Sequence, residues 1–196
     1  GEILLLPDKS GGIEAVLLGQ GAQVDIFTLG ALSKALPTGV YRLAHELDYS
    51  DMELAAHAWM IGTYHFDTYL PKRPDFEAPQ LVLPKESRLD RIQALGEAVF
   101  LVRDLINTPA ADMGPVELEL AARNLAEKFN AEINVIAGDA LVEANYPLIH
   151  AVGRAAYEAP RLIDIRWGNP EGKQLGLVGK GVCFDSGGLN LKPGSY

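Results

Sequence analysis

The residues with the clearest chemical potential lie close together near the end of the chain. Lys180, Asp185 and Lys192 fall within a glycine-rich stretch, residues 175–194. Glycine lets the backbone turn with positive φ or approach a ligand closely. A carboxylate is a hard oxygen ligand, a desolvated lysine beside a metal ion can offer its lone pair, and a charged lysine can hold an oxyanion. The stretch indicates metal-assisted chemistry; the alternative is an ordinary solvated turn.

Two other kinds of site do not fit this stretch. A phosphate-binding loop needs four residues between its first glycine and a Gly-Lys pair, followed by Ser or Thr. Here Gly181 follows Lys180, and Gln174 stands where the first glycine would be needed. A serine-dependent hydrolase is disfavoured because Ser186 lacks the Gly-x-Ser-x-Gly context of an exposed nucleophile.

Other candidate ligands and pairs are weaker. Cys183 is the only cysteine, so an internal disulfide is impossible, and we interpret it as a packing residue in a protein of a reducing compartment. The histidines lack a His-Glu-x-x-His pattern; they are His45, His57, His65 and His150. Arg103 and Asn107, four residues apart, are predicted to cap or pair locally rather than to catalyse.

Composition and charge argue against several classes of protein. The formal net charge of −9, with no cluster of Lys and Arg, disfavours binding to nucleic acid. No apolar run approaches the roughly 18 residues of a membrane span. The opening residues 1–7 lack a basic region and predict a strand rather than a signal peptide. We therefore expect a cytoplasmic protein that does not enter the membrane.

The first part of the chain predicts a small α/β domain over residues 1–85. Turn-rich segments separate short apolar runs, which predict strands at 2–6, 13–18, 24–28, 39–43 and 80–84. Residues 31–36 and 52–66 have helical patterns.

Residues 86–108 predict a linking helix. Ser87 can cap its amino end, and apolar residues then recur at intervals of three and four as one stripe. These residues are Leu89, Ile92, Leu95, Val99, Val102 and Ile106.

Residues 109–196 alternate between helical and extended patterns. Pro115 opens a helix, residues 139–144 predict a short one, and strands are predicted at 132–136, 161–167 and 175–178. Such alternation is typical of an α/β domain with a largely parallel sheet buried on both faces. The predicted fold class is thus α/β, with a small amino-terminal domain followed by the beginning of a mixed, largely parallel domain.

Three motifs follow one another along the chain. Residues 103–110 read Arg-Asp-Leu-Ile-Asn-Thr-Pro-Ala. Val-Gly-Arg at 152–154 is followed by Pro-Arg-Leu at 160–162. Residues 178–194 contain Val-Gly-Lys-Gly, Phe-Asp-Ser-Gly-Gly and Leu-Lys-Pro-Gly. In this order they closely resemble the signature of the leucyl aminopeptidase (cytosol aminopeptidase, M17) family, whereas the first 50 residues are only loosely similar to its amino-terminal domain.

The resemblance implies an aminopeptidase that releases leucine-like residues from peptides with two divalent metal ions, manganese or zinc, and bicarbonate as a further candidate cofactor. It implies that Lys180 binds metal through a neutral amine and that Asp185 binds metal as a carboxylate. Lys192 would polarise the scissile carbonyl and stabilise the tetrahedral intermediate. The resemblance also implies a homo-hexamer for the full-length form.

The sequence departs from the family pattern at its end. The family's later Asp and Glu ligands, and an arginine that holds the bicarbonate, would fall beyond Tyr196. Two metal ions need several more ligands than Lys180 and Asp185 provide. We therefore predict that this chain alone is inactive and that it exposes unpaired strand edges and apolar surface. The alternative is a non-catalytic binding or regulatory module on the same scaffold.

Overall fold

The computed structural model describes residues 2–19, 25–71, 77–85 and 87–183. The chain divides into two compact units, Gly1–Asn107 (unit 1) and Thr108–Tyr196 (unit 2). None of the described helices combines the length and apolar character needed to cross a membrane.

Unit 1 begins with an antiparallel hairpin of β1, Ile3–Pro7, and β2, Ile13–Leu18. Its turn is closed by Asp8, whose carboxylate accepts hydrogen bonds from the backbone N–H groups of Ser10 and Gly12 at 2.7 and 2.8 Å. The hairpin confirms the strands predicted at 2–6 and 13–18.

A short parallel pair is the second sheet of unit 1. β3, Val40–Tyr41, lies beside β4, Gln80–Leu81. The pairing extends by one hydrogen bond beyond each strand, from the Gln80 N–H to Gly39 O and from the Val82 N–H to Tyr41 O, both 2.8 Å.

The strand predicted at 24–28 is wrong. A 3₁₀ helix occupies Ile26–Ala31 and runs directly into α1, Leu32–Ala35. The reason is local: the Asp25 carboxylate accepts a hydrogen bond from the Phe27 N–H at 2.9 Å, and Asp25 O accepts one from the Thr28 N–H at 3.0 Å. Both bonds favour a turn over an extended strand.

The long helix of unit 1 is α2, Tyr49–Gly62. It starts three residues before the predicted helix because the Asp48 carboxylate caps the Asp51 N–H at 2.8 Å. Its buried face packs against the 3₁₀ helix and α1, and the buried core of unit 1 consists of Leu29, Leu32, Leu36, Ala55 and Trp59. Ile3, Val16 and Leu18 of the hairpin pack against this core.

Helix α3, Leu89–Asn107, packs against α2 within unit 1. The helix is as predicted, but its apolar stripe is only partly buried. Ile92 and Gly96 are buried, whereas Leu95, Val102 and Ile106 are exposed. At 100° per residue, Leu95, Val102 and Ile106 lie beside the buried face of Ile92 and Gly96, all on the same side of it. The domain boundaries at 85 and 108 remain a prediction.

Unit 2 contains α4, Pro115–Lys128; β5, Glu132–Ala137; α5, Ala140–Glu143; α6, Pro147–Gly153; and β6, Arg161–Arg166. Leu141 and Ala126 are its buried apolar residues within the described ranges. The turns that follow α4 and α5 place Asn130 and Asn145 at positive φ, 51° and 65°, a conformation that asparagine tolerates better than most residues.

The mixed α/β class is confirmed, but the strand pairing differs from the expected one. β5 and β6 are antiparallel, with Ala137 opposite Arg161. The connection between them therefore starts and ends at the same end of the sheet. A parallel strand would have needed a crossover helix that carries the chain back to the opposite end of the sheet. Here the connection holds two short helices, and the sequence pattern predicted only the first of them.

The strand predicted at 175–178 is also wrong for the described residues. This segment forms neither strand nor helix, and Leu175, Leu177 and Val178 are 84%, 87% and 102% exposed. Among the residues that the structure describes, no strand lies beside it to pair with its backbone. Exposed apolar surface of the expected kind is thus present in unit 2.

Candidate functional site

Of the three predicted site residues, the structure describes Lys180. Its side chain is exposed, in a segment of unit 2 without regular structure. Asp185 and Lys192 lie outside the described residues, so the metal-binding and catalytic roles of the three residues stay a prediction. Within the described ranges no group of three His, Cys, Asp or Glu side chains converges to hold a metal ion.

The backbone next to Lys180 packs against α4. A Cβ atom on Gly181 would come 2.8 Å from Cδ2 of Leu118, in the first turn of that helix. A larger residue at this position would require the Leu118 side chain to move. The chain thus passes close to Leu118 immediately after the candidate ligand.

The first turn of α4 is itself held by two carboxylates. The Glu117 side chain accepts a hydrogen bond from the Gly114 N–H at 3.0 Å, and Glu158 accepts one from the Val116 N–H at 3.1 Å. Acidic groups at a helix amino end satisfy free N–H groups and complement the helix dipole. Their role here is to stabilise the helix against which Gly181 packs.

Cys183 lies beside the same carboxylates. Burial raises the pKa of its thiol above the usual 9.0, and the negative charges of Glu158 and Glu117 raise it further, against a smaller opposing effect of Arg161. The thiolate is the metal ligand and nucleophile of cysteine chemistry. A half-buried thiol that stays protonated agrees with the interpretation of Cys183 as a packing residue.

Arg161 connects the start of β6 to α4. Its guanidinium donates to Glu119, which also accepts a 2.8 Å hydrogen bond from Arg123. The bond from Arg123, with a smaller effect of Arg161, lowers the pKa of Glu119 despite partial burial. Arg161 belongs to the Pro-Arg-Leu motif at 160–162, so the sequence marked the residue but not this ion pair.

Three residues of the motif at 103–110 join α3 to the end of α2 and to Tyr64, which follows it. Arg103 donates to Ile61 O at 2.9 Å, and the Tyr64 hydroxyl donates to Asp104 at 2.8 Å while accepting from the Asn107 amide at 3.1 Å. The Arg103 guanidinium also lies 5.3 Å from the centre of the Tyr64 ring. Arg103 and Asn107 thus have the structural role predicted for them, but through partners distant in sequence rather than local ones.

Two domains of a known protein family match the chain. The catalytic domain of the cytosol aminopeptidase family matches residues 100–196, and the M17 aminopeptidase amino-terminal domain matches residues 1–84. The chain therefore belongs to the cytosol aminopeptidase (M17) family, as its motifs predicted.

Relatives and solved structures agree with this assignment. A probable cytosol aminopeptidase of Aeropyrum pernix is 38% identical over 135 residues, 68% of this chain and 27% of the relative. The crystal structure of the Coxiella burnetii cytosol aminopeptidase superimposes with a TM-score of 0.86 and 39% identity, covering 99% of this chain and 42% of that one. The bottromycin maturation enzyme BotP in complex with Mn gives 0.76 and 29%, covering 100% of this chain and 45% of BotP. The chain spans less than half the length of these proteins.

Proposed function

We propose that this chain is part of a metal-dependent aminopeptidase that releases leucine-like residues from the amino ends of peptides by two-metal hydrolysis. The observation that carries the proposal is the likeness to the Coxiella burnetii cytosol aminopeptidase over 99% of this chain. The motif at 178–194, which contains Lys180, Asp185 and Lys192, also supports it.

In this proposal each residue has one task. Lys180 binds metal through its neutral amine and Asp185 through its carboxylate. The ammonium group of Lys192 stays charged. It donates a hydrogen bond to the scissile carbonyl oxygen, where negative charge develops. When bound there, the metal ions would supply a site for the substrate amine and would lower the pKa of the attacking water. The BotP structure with Mn supports a divalent metal ion, either manganese or zinc, and bicarbonate remains a candidate cofactor.

Lys180 and Asp185 cannot complete such a centre alone. Two metal ions need several more nitrogen or oxygen ligands, and the described residues contain no convergent cluster of them. We therefore expect this chain alone to be inactive and the further ligands to come from additional polypeptide. A cytoplasmic homo-hexamer acting on peptides is the proposed form of the whole enzyme.

The experiment is a leucine p-nitroanilide assay with Mn²⁺ or Zn²⁺, and with EDTA as a control. We expect no turnover by this chain, and chelator-sensitive turnover by a polypeptide that carries this chain and matches its relatives in length. In that longer protein Lys180→Met and Lys192→Met abolish turnover, whereas Lys173→Met, an exposed lysine of the same unit, leaves it unchanged. Turnover that resists EDTA or survives both substitutions would contradict the proposal. Absence of turnover in the longer protein would favour a non-catalytic module.

A further inference from the structure

A groove of about 470 Å³ lies in unit 1, where β3 and β4 end. It is lined by residues that directly follow these two parallel strands, from the segments 42–47 and 82–84, and by Met52 of α2. Ligands gather beyond the carboxyl ends of parallel strands, where the chain leaves the sheet. The volume falls within the range of about 300–1,000 Å³ that is typical of small-molecule sites.

The floor and walls of this groove are fixed by the fold. Leu43 and Leu47 line the groove and also pack against the buried core of unit 1. The Val82 N–H donates to Tyr41 O at 2.8 Å, which holds the wall that follows β4. The Asp48 cap holds the first turn of α2 next to Met52. The groove therefore exists before any ligand arrives, which limits the entropic cost of binding.

The rim of the groove carries charged side chains that the fold does not use. Arg42 and Glu46 are exposed, and neither has a hydrogen bond or ion pair among the residues that the structure describes. The lining also includes His45, likewise exposed. A free cation and a free carboxylate above an apolar floor match a ligand that has both charges and an apolar body.

We propose that this groove binds a small zwitterion with an apolar side chain, either a free amino acid or a short peptide. Arg42 binds its carboxylate, Glu46 binds its ammonium group, and the apolar side chain lies over Leu43 and Leu47. The proposal rests on the aminopeptidase function, since apolar peptides and amino acids are the substrates and products of that reaction. It gives unit 1 a ligand site formed entirely by its own residues.

The test is a titration of this chain, without added metal, with L-leucine and separately with leucyl-leucine, followed by NMR chemical shifts or calorimetry. We expect saturable binding of at least one of them, and the better ligand identifies the source as amino acid or peptide. Three analogues each lack one group of leucine. Glycine lacks the apolar side chain, N-acetyl-leucine lacks the ammonium group, and leucinamide lacks the carboxylate. Each is expected to bind about tenfold more weakly, because each loses the burial or one charged hydrogen bond.

Substitutions at the rim localise the binding. Arg42→Gln and Glu46→Gln are each expected to weaken binding about tenfold. Matched controls are Lys34→Gln and Glu14→Gln, exposed charges of the same unit outside the groove, which leave it unchanged. Binding of neither ligand, or binding that is equal in the rim variants and the controls, would overturn the proposal. Because the titration needs no turnover, a failed groove and a failed aminopeptidase assignment give separate results.

Discussion

Gly62, the last residue of α2, touches Gly30 of the 3₁₀ helix so closely that a Cβ atom on Gly62 would overlap the Gly30 carbonyl oxygen. The approach also restricts Gly30, because a Cβ atom there would come 2.6 Å from the carbonyl oxygen of Ala58 in α2. These obstructing atoms belong to the backbone and cannot move without shifting a helix. The glycines therefore set the distance between α2 and the 3₁₀ helix.

We predict that Gly62→Ala lowers the free energy of unfolding by about 1–3 kcal/mol, the usual cost of inserting a methyl group into a filled contact. Helix propensity alone would favour alanine over glycine, so the sign of the effect distinguishes the two causes. Gly176→Ala is the control, since a Cβ atom there meets open space. Urea unfolding measures both, and equal stability of the two variants would contradict the close contact.

The close approach of Gly30 and Gly62 shows what sequence patterns cannot reveal. The helical period predicted α2 and α3, because burial on one face leaves a mark at intervals of three and four residues. A glycine that admits a neighbouring helix leaves no periodic mark. The strand predicted at 24–28 failed for a local reason instead, since the hydrogen bonds to Asp25 outweighed the β propensity of its neighbours.

The candidate site shows the same division between local pattern and long-range geometry. The three ordered motifs at 103–110, 152–162 and 178–194 predicted a family, and the family is confirmed. The contacts that hold α4 in place, such as Arg161 with Glu119, join residues 42 positions apart. Such pairs depend on how β6 packs against α4, and the antiparallel pairing of β5 and β6 was itself not predicted.

Trp59 is predicted to be sensitive to loss of its indole nitrogen. This buried side chain donates a hydrogen bond of 3.0 Å to Pro79 O, which joins α2 to the segment before β4. Trp59→Phe leaves that carbonyl without its donor and removes apolar volume. We expect the free energy of unfolding to fall by about 1–3 kcal/mol, the cost of a buried polar group without a partner.

Trp167 provides the matched control for this substitution. Its indole also donates to a backbone carbonyl, Phe129 O at 3.1 Å, but the side chain is 76% exposed. Water can replace the lost donor there, so Trp167→Phe is expected to change stability much less. Thermal or urea unfolding compares the two variants, and equal losses would show that burial does not set the effect.

Glu119 is predicted to make stability depend on pH. Its pKa is lowered from the usual 4.5, first by the hydrogen bond from Arg123 and then by Arg161. A lowered pKa in the folded state means that the unfolded chain binds more protons as the pH falls below 4.5. The stabilising contribution is therefore complete well above that pH and disappears as the pH falls through the lowered pKa.

Glu119→Gln should consequently destabilise the protein at neutral pH, with the difference from the unsubstituted protein shrinking in acid. The control is Glu143→Gln, an exposed residue whose side chain has no hydrogen bond or ion pair among the described residues. Urea unfolding at a series of pH values measures the difference. A constant gap between the Glu119 variant and the unsubstituted protein across the acid range would contradict the lowered pKa.

Cys183 is predicted to react slowly with iodoacetamide in the folded protein. Alkylation requires the thiolate, and burial together with Glu158 and Glu117 raises the pKa of this thiol. The alkylation rate should therefore still increase with pH above 9.0, the usual pKa. At pH 8 it should rise when urea unfolds the chain.

Glu158→Gln removes one negative charge and is expected to shift the pH–rate curve of Cys183 to lower pH. The control is Glu171→Gln, an exposed residue elsewhere in unit 2, which leaves the curve in place. Restricted access of the reagent would lower the plateau of the curve without moving its midpoint, so the full profile distinguishes a raised pKa from simple burial.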